Sequence, residues 1–185
     1  MKRFYIYALI ICCTLFSNSC KKDNTTNNNN DNVPGLPPAT QRGANTFGFL
    51  LNGQPWVPQG SNGTNNLSID YDQGINKGIF NIAASKTISA FEYSRIWIGI
   101  DDSLNLLIAP YDVVVNKTSI GFIKYSNNGN CIIRSFDNDV ISNGKITVQK
   151  HDRITSIISG KFVGFLSRIG CDTIKITQGR FDFKF

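Results

Sequence analysis

Residues 44–185 are built from short runs in which apolar and polar residues alternate. In "LSIDYD", Leu67, Ile69 and Tyr71 fall on one face of an extended chain and the residues between them on the other. Similar runs recur between clusters of Asn, Asp, Gly and Ser, and no stretch keeps a helical period. The pattern predicts an all-β fold, a single antiparallel β-sandwich or barrel-like domain of about ten strands.

Local features refine this prediction at both ends of the domain. The pair Asn52-Gly53 separates "TFGFLL" from "QPWV" and is typical of a two-residue hairpin turn. Near the C-terminus, Ile174 and Ile176 share one strand parity, and a set of phenylalanines shares the other: Phe181, Phe183 and Phe185. Because Gln178-Gly179 lies between the two sets, we predict a bulged or bent final strand.

The N-terminus has the pattern of an export signal. Lys2 and Arg3 precede an apolar run over residues 4–16, which as a helix would rise only about 20 Å and is too short to span a bilayer. Small residues then lead to Cys20, and the whole resembles a bacterial lipoprotein signal. We predict a signal peptide over residues 1–19 and a lipid on Cys20. Cys12 and Cys13 fit less well, and cleavage of an ordinary secreted protein is the alternative.

Residues 20–43 contain almost nothing that could be buried. Asn, Thr, Pro and Gly dominate this stretch. Such a composition cannot offset the entropy of ordering, so we predict a disordered tether that spans roughly 25–30 Å on average. It would hold the domain away from the membrane to which the lipid is anchored.

The net charge and its distribution indicate which kinds of partner to expect. Without Lys2 and Arg3 the chain has 17 basic and 13 acidic residues, a net charge of +4, and these residues are scattered along it. Scattered weak basicity is not the footprint of a nucleic-acid-binding protein, so no nucleic-acid partner is predicted. The expected contacts are the membrane, through the N-terminal lipid, and a glycan or envelope protein, and a monomer is expected.

Several segments carry a resemblance to known proteins. "LPPATQRGANTFGFLLNGQPWVP", "GKITVQKHD", "IISGKFVGFL" and "CDTIKITQGRFDFKF" resemble a family of uncharacterised lipoproteins from Bacteroidota. The resemblance implies a location in the cell envelope of a bacterium. We expect the protein to be lipid-anchored there, in the outer membrane, at either its periplasmic or its surface leaflet. The resemblance implies no reaction and no catalytic residues.

Motifs for catalysis, metal or cofactor binding are missing from the sequence. It has no GxSxG, HExxH, phosphate loop or paired CxxC, and His151 is the one histidine of the chain. "DYDQG" departs from a calcium loop, so Asp70 and Asp72, two apart on a strand, are interpreted as part of its solvated face. We therefore predict no catalytic residues, no metal and no cofactor.

Two features are candidates for a site or a cross-link. In "FEYSRIWIGI", one face carries Ile96, Ile98 and Ile100, and the other carries a possible binding strip: Phe91, Tyr93, Arg95 and Trp97. An exposed strip of rings with an Arg suits stacking on sugars or apolar ligands, and the alternative is a central strand buried on both sides. Cys131 and Cys171 form an even pair in an exported domain and are predicted to form a disulfide, the alternative being two free thiols.

These patterns leave three functional classes open. The leading hypothesis is a non-enzymatic envelope lipoprotein whose β domain binds a ligand or a partner. The alternatives are an envelope hydrolase of unknown substrate and a small outer-membrane β-barrel, which the alternating C-terminal "RFDFKF" suggests.

Overall fold

The computed structural model describes residues 32–61, 63–114, 117–126 and 129–185. The described chain forms eleven strands: β1 Thr46–Leu51, β2 Gln54–Trp56, β3 Leu67–Asp72, β4 Ile79–Ser89, β5 Glu92–Ile100, β6 Tyr111–Val114, β7 Thr118–Ser126, β8 Gly129–Arg134, β9 Val140–Asp152, β10 Ile157–Arg168 and β11 Ile174–Lys184. Two short 3₁₀ segments, Ile75–Lys77 and Leu104–Leu106, lie between strands. No helical segment within these described ranges is both long and apolar enough to cross a membrane.

The strands form two antiparallel sheets. Sheet 1 has six strands in the order β2-β1-β11-β10-β9-β6, and sheet 2 has five in the order β3-β4-β5-β7-β8. Neither sheet closes on itself, because β2 and β6 end one and β3 and β8 end the other. The all-β prediction is confirmed, and of its two alternatives the sandwich is the one observed.

The core lies between the inner faces of the two sheets. On β5, Ile96, Ile98 and Ile100 are buried, as their alternation predicts. Facing them are apolar residues of sheet 1, including Phe162 and Phe181. Fully burying a side chain of this size stabilises the fold by about 1.5–3 kcal/mol, so the inner faces hold the sheets together.

The predicted turn and bulge are both present. Leu51 pairs with Gln54 across Asn52 and Gly53, whose φ angles of 48° and 86° are those of a tight two-residue hairpin. In β11 the pairing with β10 shifts between Phe162 and Gly164 on the partner strand, which leaves an extra residue in β11. The residue with positive φ at this bulge is Gln178, at 54°, rather than the glycine beside it.

The residues just before β1 pack on the outer face of sheet 1. We call residues 32–45 the strap. It runs from Gly35, which lies against Pro55, past Pro37, which covers Gly48, to the buried carboxylate of Asp182. That carboxylate accepts hydrogen bonds from the Thr40 hydroxyl and from three backbone N–H groups, those of residues 42, 43 and 44, at 3.1, 2.8 and 3.2 Å.

The strap changes the boundary predicted for the domain. The predicted tether covered residues 20–43, but residues 32–43 belong to the strap and are held by the contacts above. A prediction from composition does not detect these contacts, because their donors are mostly backbone N–H groups, which every non-proline residue carries. The remaining tether, residues 20–31, the predicted signal peptide and Cys20 lie outside the described residues.

The predicted disulfide between Cys131 and Cys171 is present, and it joins the two sheets. Cys131 lies in β8 of sheet 2, and Cys171 lies in the turn before β11 of sheet 1, with 5.8 Å between their Cα atoms. The bond closes a loop between residues 40 positions apart. In the chain-entropy model such a loop stabilises the folded state by about 4 kcal/mol.

Candidate functional site

A pocket of about 240 Å³ opens at the end of the sandwich that carries the disulfide. We call it the end pocket. The β1–β2 hairpin, the β4–β5 hairpin, β7 and the turn before β11 surround it, so both sheets contribute to its wall. Its lining residues are Leu51, Asn52, Gln54, Pro55, Trp56, Lys86, Ile88, Glu92, Tyr93, Ser94, Phe122, Lys124, Tyr125, Asp172 and Ile174.

The floor of the end pocket is apolar and buried. Trp56, Phe122 and Ile174 are all buried, and they come from β2, β7 and β11. The Trp56 ring stacks on Phe49 with 4.8 Å between ring centroids, and its indole N–H donates to the Ser94 hydroxyl at 2.9 Å. This hydrogen bond links edge strand β2 of sheet 1 to β5 of sheet 2, and it fixes the orientation of the indole.

Two tyrosines stand at the mouth of the pocket. Tyr93 of β5 and Tyr125 of β7 are direct cross-strand partners, and their rings stack 4.5 Å apart at an angle of 15°. Burial and the hydrogen bond to Tyr125 raise the pKa of Tyr93, so the phenol stays protonated at neutral pH. The pair supplies flat apolar surface together with hydroxyl groups that can donate or accept.

Charged side chains form the rim. Lys124 pairs with Asp172 at 3.1 Å, and Lys86 and Glu92 complete the charged lining. The salt bridge is solvent-exposed, so it contributes about 0–1 kcal/mol to stability. Either side chain can therefore leave its partner and bind a ligand instead. The disulfide lies directly behind it, because Cys131 is the cross-strand partner of Lys124 and Cys171 precedes Asp172.

The structure separates the four residues of the predicted strip. Tyr93 lines the end pocket, while Phe91 lies at the tip of the β4–β5 hairpin and is 74% exposed. Arg95 is exposed on the outer face of sheet 2. Trp97 is half-buried on that face and lies across Gly121, where a Cβ atom would meet the indole ring at 1.7 Å. The strand is therefore buried on its isoleucine face, and its aromatic face is partly covered by its own neighbours.

Sequence reasoning missed most of the pocket. Trp56, Phe122, Tyr125 and Ile174 come from three strands, β2, β7 and β11, and the alternation pattern assigns each residue to a strand without showing which strands are neighbours. The sequence signal for Trp56 is that it is a large aromatic residue three positions after Gly53, at the end of a short strand.

The acidic residues considered in the sequence as possible metal ligands lie outside the end pocket. Among the described residues no group of three or more His, Cys, Asp and Glu side chains could hold a metal ion. Asp72 accepts hydrogen bonds from the N–H groups of Gly74 and Ile75, at 2.7 and 3.2 Å, as a turn residue does. Asp70 is exposed.

His151 lies in a separate aromatic cluster. Its ring packs edge-on against Tyr71, with 5.6 Å between centroids, and near Phe185. Burial, then the nearby Arg153 charge, lowers the pKa of His151, although Asp152 partly opposes this. The imidazole is therefore neutral at pH 7, and it is not among the residues that line the end pocket.

Searches for related proteins gave no match to a family model, to a curated protein or to a solved structure.

Proposed function

We propose that this protein is a non-enzymatic, lipid-anchored protein of a bacterial cell envelope and that it binds a ligand in the end pocket. The observation that supports this most directly is the pocket's composition. It combines an apolar floor, a stacked pair of tyrosines and a ring of polar and charged side chains, which is the usual makeup of a small-ligand site.

The same composition favours a carbohydrate as the ligand class. Sugar rings offer an apolar face for stacking and many hydroxyls for hydrogen bonds, and the tyrosines and the rim supply the complements of both. The pocket's 240 Å³ falls below the roughly 300–1,000 Å³ typical of sites for drug-sized ligands. It therefore suits one sugar ring, such as the end of a glycan chain, rather than a long segment.

Binding is favoured over hydrolysis by the identity of the charged rim. The acids that line the pocket are Glu92 and Asp172, and Asp172 is engaged with Lys124. A glycoside hydrolase needs one carboxylic acid with a raised pKa beside a second carboxylate. Asp172 is paired with a lysine rather than with a second carboxylate, so the rim resembles a recognition surface.

The test is a thermal-shift panel of mono- and oligosaccharides on the wild-type protein, because a ligand that binds only the folded state raises its melting temperature. For a ligand found in this way, Tyr93→Ala should weaken binding by 1 kcal/mol or more, about fivefold to tenfold. Arg95→Ala is the matched control, since it lies two residues along the same strand and does not line the pocket. Loss of binding in Arg95→Ala but not in Tyr93→Ala would move the site to the outer face of sheet 2.

A further inference from the structure

The β4–β5 hairpin ends in an exposed apolar tip. Ser89 pairs with Glu92, so the hairpin turns through Ala90 and Phe91. Phe91 is 74% exposed and Ile88 is 65% exposed, and Ala90 between them is exposed as well. We call residues 88–91 the hairpin tip. Large apolar side chains at the end of a tight hairpin are costly in water unless another surface covers them.

Cations stand behind the tip on both strands of the hairpin. Lys86 lies two residues before the tip on β4 and Arg95 four residues after it on β5, roughly 7 and 13 Å away at about 3.3 Å per residue. An apolar tip that enters a bilayer by about 5–10 Å would bring these two cations to the level of the phosphate groups. Glu92 beside the tip acts in the opposite direction, because an anion is repelled by anionic lipids.

A second set of exposed apolar residues lies at the opposite end of the sandwich, so exposure alone does not choose between the ends. Leu106, Ile108 and Ile154 are 63%, 91% and 97% exposed there. The position at which the N-terminal segment joins the domain distinguishes the two ends. Gly35 lies against Pro55, and Pro55 lines the end pocket, so the strap begins at the same end as the hairpin tip.

The length of chain before the strap limits which end can reach a membrane. Twelve peptide units join Cys20 to Asn32, and fully extended they span about 40 Å. The twelve residues of β10 alone extend about 40 Å along the sandwich. A lipid on Cys20 therefore lets the hairpin tip meet the bilayer at any extension of this segment, while the opposite end meets it only at full stretch.

We propose that the hairpin tip docks on the lipid bilayer to which the protein is anchored, with Ile88 and Phe91 among the acyl chains and Lys86 and Arg95 at the phosphates. This rests on the lipid anchor of the proposed function. It turns the mouth of the end pocket towards the headgroup layer, so that the pocket meets sugars presented at the membrane surface.

Tryptophan quenching by lipids with brominated acyl chains tests the docking. Full-length wild type, Phe91→Trp and Ile154→Trp are expressed with their N-terminal signal in a bacterium and mixed with vesicles of phosphatidylethanolamine and phosphatidylglycerol, with and without brominated chains. Both substitutions are at exposed loop positions, and Ile154→Trp is the matched control at the opposite end. We expect bromine to quench the fluorescence added by Phe91→Trp and to leave that added by Ile154→Trp unchanged. Adding Glu92→Gln to Phe91→Trp should deepen the quenching.

The outcomes separate this inference from the anchor on which it rests. If wild type sediments with the vesicles but Phe91→Trp is quenched no more than Ile154→Trp, the docking is wrong and the anchor stands. If the protein does not sediment with the vesicles, the anchor is wrong and the docking falls with it. Quenching of both positions to the same extent would also overturn the docking, because it would show no preferred end.

Discussion

The buried carboxylate of Asp182 should be the main fastening of the strap, and Asp182→Asn tests this. The side chain is 1% exposed, and it accepts from the Thr40 hydroxyl and the N–H groups of residues 42, 43 and 44. Three of these bonds go to Oδ2, and the bond from Gly43 goes to Oδ1. An asparagine that keeps its oxygen at the Oδ2 position turns its NH₂ group towards the Gly43 N–H. One of the four hydrogen bonds is then lost, its donor stays unsatisfied, and the other three lose the negative charge of their acceptor.

The expected cost combines the bond that is lost with the charge that the other three bonds lose. A hydrogen bond to a charged group contributes about 1.5–3 kcal/mol, and one between neutral groups contributes about 0.5–1.5 kcal/mol. Partial relaxation of the strap reduces the sum, so we expect Asp182→Asn to lower the free energy of unfolding by about 2–4 kcal/mol. Urea unfolding at pH 7 measures this. The control is Asp172→Asn, whose carboxylate is exposed and paired with Lys124, and which should cost less than about 1 kcal/mol.

The same group predicts an acid dependence. Burial alone would raise the pKa of Asp182, but the hydrogen bonds from Thr40, Gly43, Ala44 and Arg42 outweigh it and hold that pKa below its usual value. The folded-state pKa is thus below the unfolded value of about 3.9. The ionised carboxylate contributes stability that is fully present above this unfolded value and is lost as the pH falls through the folded pKa.

Wild type should therefore lose more stability than Asp182→Asn between pH 5 and strongly acidic pH. Two results would refute the reasoning. One is an Asp182→Asn free energy of unfolding within about 0.5 kcal/mol of wild type, which is the range of an ordinary surface substitution. The other is an identical acid loss in the two proteins.

Three further outcomes are expected from the remaining contacts. Gly121→Ala should destabilise by about 1–3 kcal/mol in thermal unfolding, because its Cβ would overlap the Trp97 ring, and an unchanged melting temperature would show that the indole lies elsewhere. Reduction of the Cys131–Cys171 bond should lower the free energy of unfolding by about 4 kcal/mol, and both thiols should resist alkylation in the unfolded protein until a reductant is added. Cys20→Ala should move the protein from the membrane fraction to the soluble fraction while its melting temperature stays the same. If it remains in the membrane fraction, another residue anchors it.

The alternation of apolar and polar residues predicted the strands well, because the apolar residues of a strand lie on its buried face. The isoleucines at 96, 98 and 100 face the core, and the Asn52-Gly53 turn and the bulge at Gln178 follow from two-residue patterns. Each of these features depends only on neighbours in sequence. The disulfide was also within reach, because cysteine counting leaves few pairings in the domain.

Burial that depends on contacts between distant parts of the chain could not be predicted from the sequence. In "RFDFKF", Asp182 alternates with core phenylalanines and so reads as solvent-facing, yet the strap, about 140 residues earlier, buries it. Arg180 is buried in the same way, with Pro37 accepting from its guanidinium at 3.3 Å. Alternation distinguishes the two faces of a strand, but it cannot tell whether the second face is covered.

The same limit explains why the predicted binding strip divided. Alternation places Tyr93 and Trp97 on one face, but their surroundings depend on β7, where Tyr125 stacks on the first and Gly121 accommodates the second. Because its cross-strand partner is a large ring, Tyr93 forms part of the pocket wall. Because its partner is a glycine, Trp97 packs flat against β7. The hairpin tip completes the division, because Phe91 has passed the last paired residue and has no cross-strand neighbour to cover it. One strand face thus provides the pocket wall at Tyr93, a packed indole at Trp97 and, at Phe91, the contact we assign to the bilayer.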